Sequence, residues 1–216
     1  MQRIIVLTLL FLLALPAVAA DAGLASAPNQ VRPLLLGSAM PDVDLKTLDG
    51  KPTTLKAQVA GKPTVLVFYR GGWCPFCNLQ LSELRLIRKD LDGLGFQMIA
   101  ISPDLPAELN KTVEKDQLDY TLLSDAKADA LRAFGIGYRL DDETYAKYQE
   151  YGIDLETSSG EDHHALPVPS VFIVDADGVL QFSYSHPDYK IRVPGSVILA
   201  AAKAIAERSD HLHPGG

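Results

Sequence analysis

The pattern of apolar and polar positions predicts strands that alternate with helices. Two continuous apolar runs, 64–69 and 96–101, have the length of strands that are buried on both faces. Apolar residues recur at helical spacing after the first run, at Leu81, Leu84, Ile87 and Leu91. We therefore expect a helix there, with its apolar side against the sheet.

Further elements extend the pattern to the end of the chain. The predicted elements are helices over 105–116, 126–134 and 196–207, a strand over 120–123, and hairpins at Asp49-Gly50 and Asp177-Gly178. Alternation of this kind indicates an α/β domain in which a central mixed β-sheet is flanked by helices.

The segment 138–166 interrupts this regular pattern. It contains Tyr145, Tyr148 and Tyr151, which are three residues apart in a polar setting. This spacing predicts one side of a helix that packs on the domain, so we interpret the tyrosines as structural.

Residues 1–20 have the pattern of a secretory signal peptide. Arg3 provides a basic start, an apolar run follows over 4–15, and small residues complete the segment up to Ala20. The apolar run is short for a membrane span, which takes about 20 residues. We expect cleavage after Ala19 or Ala20, giving an exported, periplasmic protein without stable membrane insertion.

The chain as a whole has the composition of a soluble globular protein. Of the 216 residues, 47 % are hydrophobic and 22 % are charged, which excludes a disordered chain or a polytopic membrane protein. A formal charge of −7 without a basic run argues against nucleic-acid binding. We divide the chain into a flexible leader (21–36), a domain (37–208) and a flexible tail (209–216). The oligomeric state stays open.

The two cysteines of the chain, Cys74 and Cys77, lie between the first buried strand and the helix that follows it. A disulfide between them would close too short a loop to add much stability, which indicates chemistry. At a helix N-terminus, unpaired N–H groups and the helix dipole favour a thiolate. With two residues between them, one sulfur can attack an outside partner while the other resolves the intermediate.

The neighbours of the cysteines suit a redox site. Pro75 fits the first position of a helix, where its missing N–H would have no partner. Trp73 and Phe76 supply an apolar wall that limits water and helps a thiol or disulfide to bind. Half of a zinc site is the competing interpretation, but the histidines provide no second ligand pair at ordered spacing. We expect neither a metal nor an organic cofactor.

The segment 65–80, VLVFYRGGWCPFCNLQ, resembles the active-site segment of the peroxiredoxin-like branch of the thioredoxin superfamily, the alkyl hydroperoxide reductase/thiol-specific antioxidant group. Three further segments are similar to that group: Gly37 with Pro41-Asp42, 167–170 with the strand after it, and 186–192. The resemblance implies a thioredoxin-like fold with an insertion before the cis-proline loop. It also implies that Pro169 is cis and exposes substrate-binding backbone beside the sulfurs.

The cysteine pair departs from the pattern of this family. Peroxiredoxins generally carry Thr-x-x-Cys, which aligns Cys77 with the cysteine that attacks peroxide and Cys74 with the threonine. Thioredoxins carry Cys-x-x-Cys, and there the first cysteine, which matches Cys74, is the attacking one. The two alignments name different nucleophiles, and the sequence leaves the choice open.

Two arginines are candidates for stabilising the oxygen that leaves a peroxide. The resemblance places a late-chain arginine near the thiol, which makes Arg192 the first candidate; the competing interpretation is an ordinary surface charge. Arg70, just before the two glycines, is the second candidate. For Arg70 we favour the other interpretation, a solvated charge at the end of a strand.

Two enzymatic hypotheses follow. The first is an exported thiol peroxidase, an antioxidant oxidoreductase that reduces hydrogen peroxide or organic hydroperoxides and is reduced by a thioredoxin-like partner. The alternative is a thiol–disulfide oxidoreductase in which Cys74 attacks protein disulfides. A third possibility is a redox-sensing or client-binding module without enzymatic activity. The extent of the resemblance favours the peroxidase.

Overall fold

Seven strands form a mixed sheet at the centre of the computed structural model, which describes residues 23–212, with side chains up to residue 208. The described residues contain nine strands, of which β6 and β7 lie outside this sheet: β1 (Asp44–Lys46), β2 (Pro52–Thr54), β3 (Thr64–Phe68), β4 (Gln97–Ser102), β5 (Thr121–Ser124), β6 (Gly137–Arg139), β7 (Ala165–Pro167), β8 (Ser170–Val174) and β9 (Leu180–Ser185). The helices are α1 (Leu55–Val59), α2 (Pro75–Gly93), α3 (Pro106–Asp116), α4 (Asp129–Ala133), α5 (Asp142–Glu150), α6 (Leu155–Ser159) and α7 (Gly195–Leu212). The predicted signal peptide, 1–20, lies outside the described residues.

The strand order in the large sheet is β2-β1-β5-β4-β3-β8-β9. Strands β3, β4 and β5 are parallel, whereas β8 and β9 are antiparallel to their neighbours. Strands β6 and β7 pair with each other in a separate antiparallel ribbon. The structure thus confirms the predicted α/β class, the mixed sheet and both hairpins.

Strand β3 is buried on both faces because helices cover the sheet on both sides. Val65 and Val67 belong to the apolar cluster that contains Leu81 and Leu84 of α2 and Ile198 of α7. Leu66 and Phe68 belong to the opposite cluster, with Phe134 and Phe172. The segment 69–77 therefore begins at the end of a strand that is packed on both faces. This packing holds the start of α2 in a defined position.

Phe68 packs at the centre of an aromatic cluster, and its replacement tests that core. Its ring centroid lies 4.9 Å from that of Phe134 and 5.9 Å from that of Phe172, and its side chain is fully buried. We expect Phe68→Ala to lower the free energy of unfolding by about 3–5 kcal/mol, because the cavity adds to the lost burial. Urea denaturation measures this loss. Leu86→Ala, at a position on α2 that is 81 % exposed, is the control and should change stability little. A loss in Phe68→Ala no larger than in the control would contradict this account.

The segment predicted as a flexible leader, 21–36, is held against the domain where the structure describes it. The Ala25 N–H donates to the Gly137 carbonyl at 3.0 Å, and the Arg32 N–H donates to the Gly135 carbonyl at 2.9 Å. Gly135 permits this approach, since a Cβ there would lie 2.0 Å from the Arg32 carbonyl oxygen. Apolar periodicity cannot reveal such pairing, because it involves backbone groups that every sequence carries.

Two other boundaries differ from the prediction. Helix α4 begins at Asp129 rather than at 126, because the Asp125 carboxylate accepts hydrogen bonds from the Ala130 and Leu131 N–H groups, both at 3.0 Å. Helix α7 runs to Leu212, so the segment predicted as a flexible tail, 209–216, begins inside a helix. Within residues 23–212, no helix combines the length and apolarity required to cross a membrane.

Candidate active site

Cys74 and Cys77 lie at the N-terminus of α2, as the order of buried strand, glycines and amphipathic helix predicts. Cys74 is the N-cap residue, Pro75 is the first helical residue, and the Cys74 carbonyl accepts from the Cys77 N–H at 3.0 Å. Both cysteines are free thiols, and they are 1 % and 0 % exposed, respectively. The sulfurs are therefore shielded from bulk water and within reach of the N–H groups at the end of the helix.

Arg192 contacts the Cys77 sulfur directly. Its Nη2 lies 3.2 Å from Cys77 Sγ, while its Nη1 donates to Gln80 Oε1 at 2.9 Å. Its Nε donates to the Tyr189 carbonyl at 2.9 Å. Three contacts fix the plane of the guanidinium, so its charge has a fixed position beside the sulfur.

Arg70 is buried, so the interpretation as a solvated charge is wrong. Its side chain is 2 % exposed, and its guanidinium carbon lies 4.3 Å from the centroid of the Tyr189 ring. The rings of Trp73 and Tyr148 face the same group at 5.1 Å and 5.5 Å. The Tyr148 hydroxyl accepts a hydrogen bond from Arg70 Nη2. We call Trp73, Tyr148 and Tyr189 the aromatic cage of Arg70.

Tyr148, like Tyr189 of the same cage, is a site residue to which no sequence pattern assigned a role. It belongs to α5, in the segment whose tyrosines were interpreted as structural. Of the other two, Tyr145 stacks on His164 with centroids 3.8 Å apart, and Tyr151 is 77 % exposed. Spacing predicts that these residues share a helix, but it contains no signal for the arginine that one of them meets.

The two sulfurs titrate as a pair because they interact directly. The pKa of Cys74 is lowered to about 6, chiefly because the Cys77 thiol donates a hydrogen bond to it, with further lowering by Arg70, by the Cys77 N–H and by Arg192. Burial and the hydrogen bond with Cys74 raise the pKa of Cys77. The pair thus loses its first proton readily and holds the second, so that one negative charge lies near both guanidiniums.

The loop before the cysteines is held by side chains from two helices and one strand end. The Gly72 N–H donates to Asp104 Oδ2 at 2.8 Å, and Asn78 Nδ2 donates to the Gly72 carbonyl at 2.8 Å. Gly72 must be glycine here, since a Cβ would lie 1.9 Å from Thr112 Oγ1. These contacts fix the backbone that carries Trp73 and Cys74.

The buried Asp104 carboxyl, which holds this loop, should make the free energy of unfolding of the protein depend on pH. The side chain is buried, and this burial is the main reason that its pKa rises from 3.8 to about 7. Between those values the unfolded chain has lost the proton that the folded chain keeps, so stability falls as pH rises through this window. We therefore compare the free energy of unfolding of Asp104→Asn with that of the parent protein. The difference should move in favour of the variant by about 2–4 kcal/mol as pH rises from 4 to 8, because the variant has no carboxyl group at this position to ionise.

Urea denaturation at both pH values measures that relative gain. Asp125, whose pKa burial also raises to about 7, contributes in the same direction and remains in the variant. Asp90→Asn, at an exposed position of α2, is the matched control and should not change the pH dependence. If the free energy of unfolding of Asp104→Asn changed with pH just as that of the parent protein does, the raised pKa of Asp104 would be contradicted.

The expected cis bond before Pro169 is wrong. The described residues contain no cis peptide bond. Pro169 is buried, its carbonyl accepts from the His186 N–H at 3.2 Å, and the Val168 N–H donates to the Ile136 carbonyl at 3.0 Å. The sheet and its neighbours therefore use the backbone groups that were expected to bind an extended substrate.

The predicted apolar wall is divided between two surfaces. Phe76 is 38 % exposed and packs edge-on against Tyr189, with centroids 5.7 Å apart, while Pro75 is exposed beside it. Trp73 packs edge-on against Tyr148 at 5.8 Å. Trp73 also lines a cleft of about 200 Å³ together with Gly72, Asp104, Glu108, Lys111, Thr112, Lys115 and Ser158. Among the described side chains, no three His, Cys, Asp or Glu residues are grouped so as to hold a metal ion.

Comparisons with known proteins agree with this architecture. The model of the AhpC/TSA family matches residues 36–183. Peroxiredoxin Bcp of Escherichia coli is 31 % identical over 169 residues, which cover 78 % of this chain and 96 % of that protein. Putative peroxiredoxin bcp of Haemophilus influenzae is 34 % identical over 106 residues, 49 % of this chain and 68 % of that protein.

Solved structures show the same fold. The crystal structure of peroxidoxin BcpB from Mycobacterium tuberculosis superposes with a TM-score of 0.61 at 23 % identity, over 79 % of this chain and 97 % of that one. Peroxiredoxin Q of Xanthomonas campestris superposes with a TM-score of 0.60 at 23 % identity, over 80 % and 97 %. With a family model matched over most of its length, the chain belongs to the AhpC/TSA family, on the thioredoxin-like fold of the peroxiredoxins.

Proposed function

We propose that this protein is an exported thiol peroxidase that reduces hydrogen peroxide or organic hydroperoxides through the pair Cys74–Cys77. The observation that carries the proposal is the contact between Arg192 Nη2 and Cys77 Sγ at 3.2 Å. A fixed cation at this distance stabilises the thiolate and meets the negative charge that develops on the departing oxygen. Family membership supports the reaction type.

In the first step, the Cys77 thiolate attacks one oxygen of the peroxide. The S–O bond forms as the O–O bond breaks, and the departing hydroxide or alkoxide takes up a proton and leaves as water or an alcohol. Cys77 becomes a sulfenic acid, so that sulfur is oxidised by two electrons and the peroxide is reduced by two. In the reduced protein, the pair supplies the anion for this step, since its first proton is lost near neutral pH.

In the second step, Cys74 attacks the oxidised Cys77 sulfur. The S–S bond forms, the S–O bond breaks, and hydroxide takes up a proton and leaves as water. Cys74 is three positions before Cys77, at the N-cap of the same helix, so the disulfide requires only a local change at the first turn. A thioredoxin-like dithiol then returns the pair to two thiols by exchange and is itself oxidised.

The burial of the site favours a small oxidant. Cys74 and Cys77 are 1 % and 0 % exposed, which suits a peroxide better than a disulfide on a folded protein. The backbone at Val168 and Pro169 is also already hydrogen-bonded, so it offers no free edge for an extended protein segment.

A second candidate function, thiol–disulfide oxidoreductase, rests on one specific observation. The pKa of Cys74 is lowered to about 6, which suits the first cysteine of the motif as an attacking thiolate. This candidate would use Cys74 as the nucleophile and Cys77 to release the client protein.

Stopped-flow kinetics of the fully reduced chain from 21 onward test the function. We expect consumption of hydrogen peroxide much faster than by glutathione at the same concentration, with the loss of two thiols per peroxide and a Cys74–Cys77 disulfide in the peptide map. A rate no faster than that of glutathione would overturn the peroxidase. Fast reduction or oxidation of a model protein disulfide by the same sample would then support the second candidate.

The proposed export rests on the pattern of residues 1–20 and has its own test. Expression of the full chain in a bacterium, followed by fractionation and mass determination of the N-terminus, should yield a periplasmic product that begins at Ala20 or Asp21. An intact N-terminus in the cytoplasmic fraction would overturn export and leave the peroxidase proposal standing.

A further inference from the structure

Arg70 is a buried cation without a carboxylate partner among the described residues. Its side chain is 2 % exposed, and the ion pairs of the described residues do not include it. Its Nη2 donates to the Tyr148 hydroxyl, and its Nε has no hydrogen-bond partner in the described part of the chain. A buried charge normally requires an opposite charge close by, so this guanidinium needs another counter-charge.

The aromatic cage holds this cation beside the cysteine pair. Trp73 immediately precedes Cys74, and Tyr189 packs against Phe76, which lies between the two cysteines. Burial is the larger effect on the pKa of Cys77 and raises it, while the backbone N–H of Arg70 acts to lower it. Ring faces lower the cost of burying a cation, but they carry no net charge.

Burial acts to lower the pKa of Arg70, but the phenols of Tyr138 and Tyr148 and the thiol of Cys74 raise it. A phenol ordinarily keeps its proton at neutral pH, whereas a thiol can lose one. Cys74 is therefore the group that can supply the missing negative charge. Arg192, in contrast, contacts the other sulfur.

We propose that Arg70 is the positioning residue for Cys74: once Cys77 has become a sulfenic acid, the caged guanidinium holds Cys74 as the thiolate that attacks the oxidised sulfur. Each sulfur then has its own cation, with Arg192 serving the step with peroxide and Arg70 serving disulfide formation. In that second step, the lone pair of the Cys74 thiolate forms the S–S bond while the S–O bond of the sulfenic acid breaks, and the departing hydroxide takes up a proton and leaves as water. The assignment deepens the proposed function and depends on it for the role of the disulfide.

Other groups around the pair also influence its titration, and the test must separate them from Arg70. The groups that face Cys74 are Cys77 on α2, Arg192 before α7, and Tyr138 on β6. Tyr69 at the end of β3 and Asp104 after β4 interact with Cys77. Removing the Cys77 thiol leaves one titrating sulfur, while a serine at that position keeps a hydrogen-bond donor beside Cys74.

The experiment is an ultraviolet thiolate titration of Cys77→Ser, in which Cys74 alone absorbs as a thiolate. We expect its midpoint well below the ordinary thiol value of about 8.5. In Cys77→Ser/Arg70→Met, the midpoint should rise by one pH unit or more, which is a fall of about tenfold in the ratio of thiolate to thiol at pH 7. Arg85→Met in the same background removes an exposed cation from α2 and should leave the midpoint unchanged. Arg70→Lys in the same background keeps a charge but loses the planar guanidinium. Its midpoint should lie between that of Cys77→Ser and that of Cys77→Ser/Arg70→Met.

Several outcomes would overturn the assignment. A midpoint at or above about 8.5 in Cys77→Ser would show that Cys74 is not held as a thiolate even with Arg70 present, and would by itself overturn the assignment. An unchanged midpoint in a folded Arg70→Met variant does so as well. If circular dichroism shows that Arg70→Met is unfolded, Arg70→Lys decides, and the absence of any shift there counts against the proposal.

A second readout connects the assignment to the reaction. With otherwise native cysteines, Arg70→Met treated with peroxide should accumulate a sulfenic acid that dimedone traps, because the attack by Cys74 is slowed; Arg85→Met should not. The titration uses no peroxide, so a shift in the midpoint without peroxide consumption would retain the role of Arg70 and reject the peroxidase. Peroxide consumption with neither the shift nor the trapped sulfenic acid would reject Arg70 alone.

Discussion

Cys77→Ser is expected to abolish peroxide consumption, whereas Cys74→Ser is expected to react once and stop. Cys77 has the guanidinium of Arg192 against its sulfur at 3.2 Å, and a hydroxyl in its place is not ionised near neutral pH. In Cys74→Ser the sulfenic acid still forms, but no second thiol is available to convert it to a disulfide. Stopped-flow peroxide assays and the mass of the oxidised protein measure both results.

The two serine variants are also controls for each other, because they make the same chemical change at positions three residues apart. Equal circular dichroism spectra would show that both are folded. The reverse result, with full loss in Cys74→Ser and a single turnover in Cys77→Ser, would contradict the assignment and make Cys74 the attacking cysteine. That assignment would agree with the thioredoxin-type order of the pair and with the lowered pKa of Cys74.

Arg192→Met is expected to slow the reaction with peroxide by about 100-fold, the usual effect of removing one fixed donor to a developing oxyanion. Methionine keeps much of the apolar stem of the arginine. It removes the guanidinium charge beside the Cys77 sulfur and the two hydrogen bonds to Gln80 and Tyr189. The thiolate becomes less stable, and the departing oxygen loses its cation. The measurement is the second-order rate constant for hydrogen peroxide, obtained with a chemical reductant in excess.

Lys190→Met is the matched control for the arginine variant. Lys190 is a nearby cation, with its Nζ 5.7 Å from the Tyr189 ring, but it is exposed and makes no contact with either sulfur among the described interactions. We expect its rate constant to stay close to that of the parent protein. Unchanged kinetics in a folded Arg192→Met would remove Arg192 from the reaction, and an equal loss in both variants would indicate a general effect of surface charge.

Much of the central sheet was predictable because burial on both faces leaves a continuous apolar run. Strands β3 and β4 lie where the runs over 64–69 and 96–101 predicted them, and α2 follows the apolar spacing that begins at Leu81. The cysteine pair at the start of α2 was predictable for a related reason. A buried strand, two glycines, a proline at the first helical position and an amphipathic helix specify that local geometry within a short stretch of chain.

The segment 138–166, which contains α5 and α6, was not predictable in the same way, because its elements are short and partly exposed. Helix α5 has no fully buried residue, and α6 spans only five residues. Pro169 shows a different limit: the expectation of a cis bond came from the resemblance alone, and the surrounding hydrogen bonds of β8 and β9 accompany a trans bond.

The sequence by itself determined the α/β domain, its family and the chemistry of a cysteine pair at a helix N-terminus, since each depends on neighbouring residues. Only the tertiary structure decided which cations meet the sulfurs. Arg192 reaches Cys77 from 115 positions along the chain, and Tyr148 reaches Arg70 from 78 positions away. Packing of α5 over the loop after β3 turns an arginine at a strand end into a caged cation. Such contacts depend on the placement of whole elements, which no local pattern of residues records.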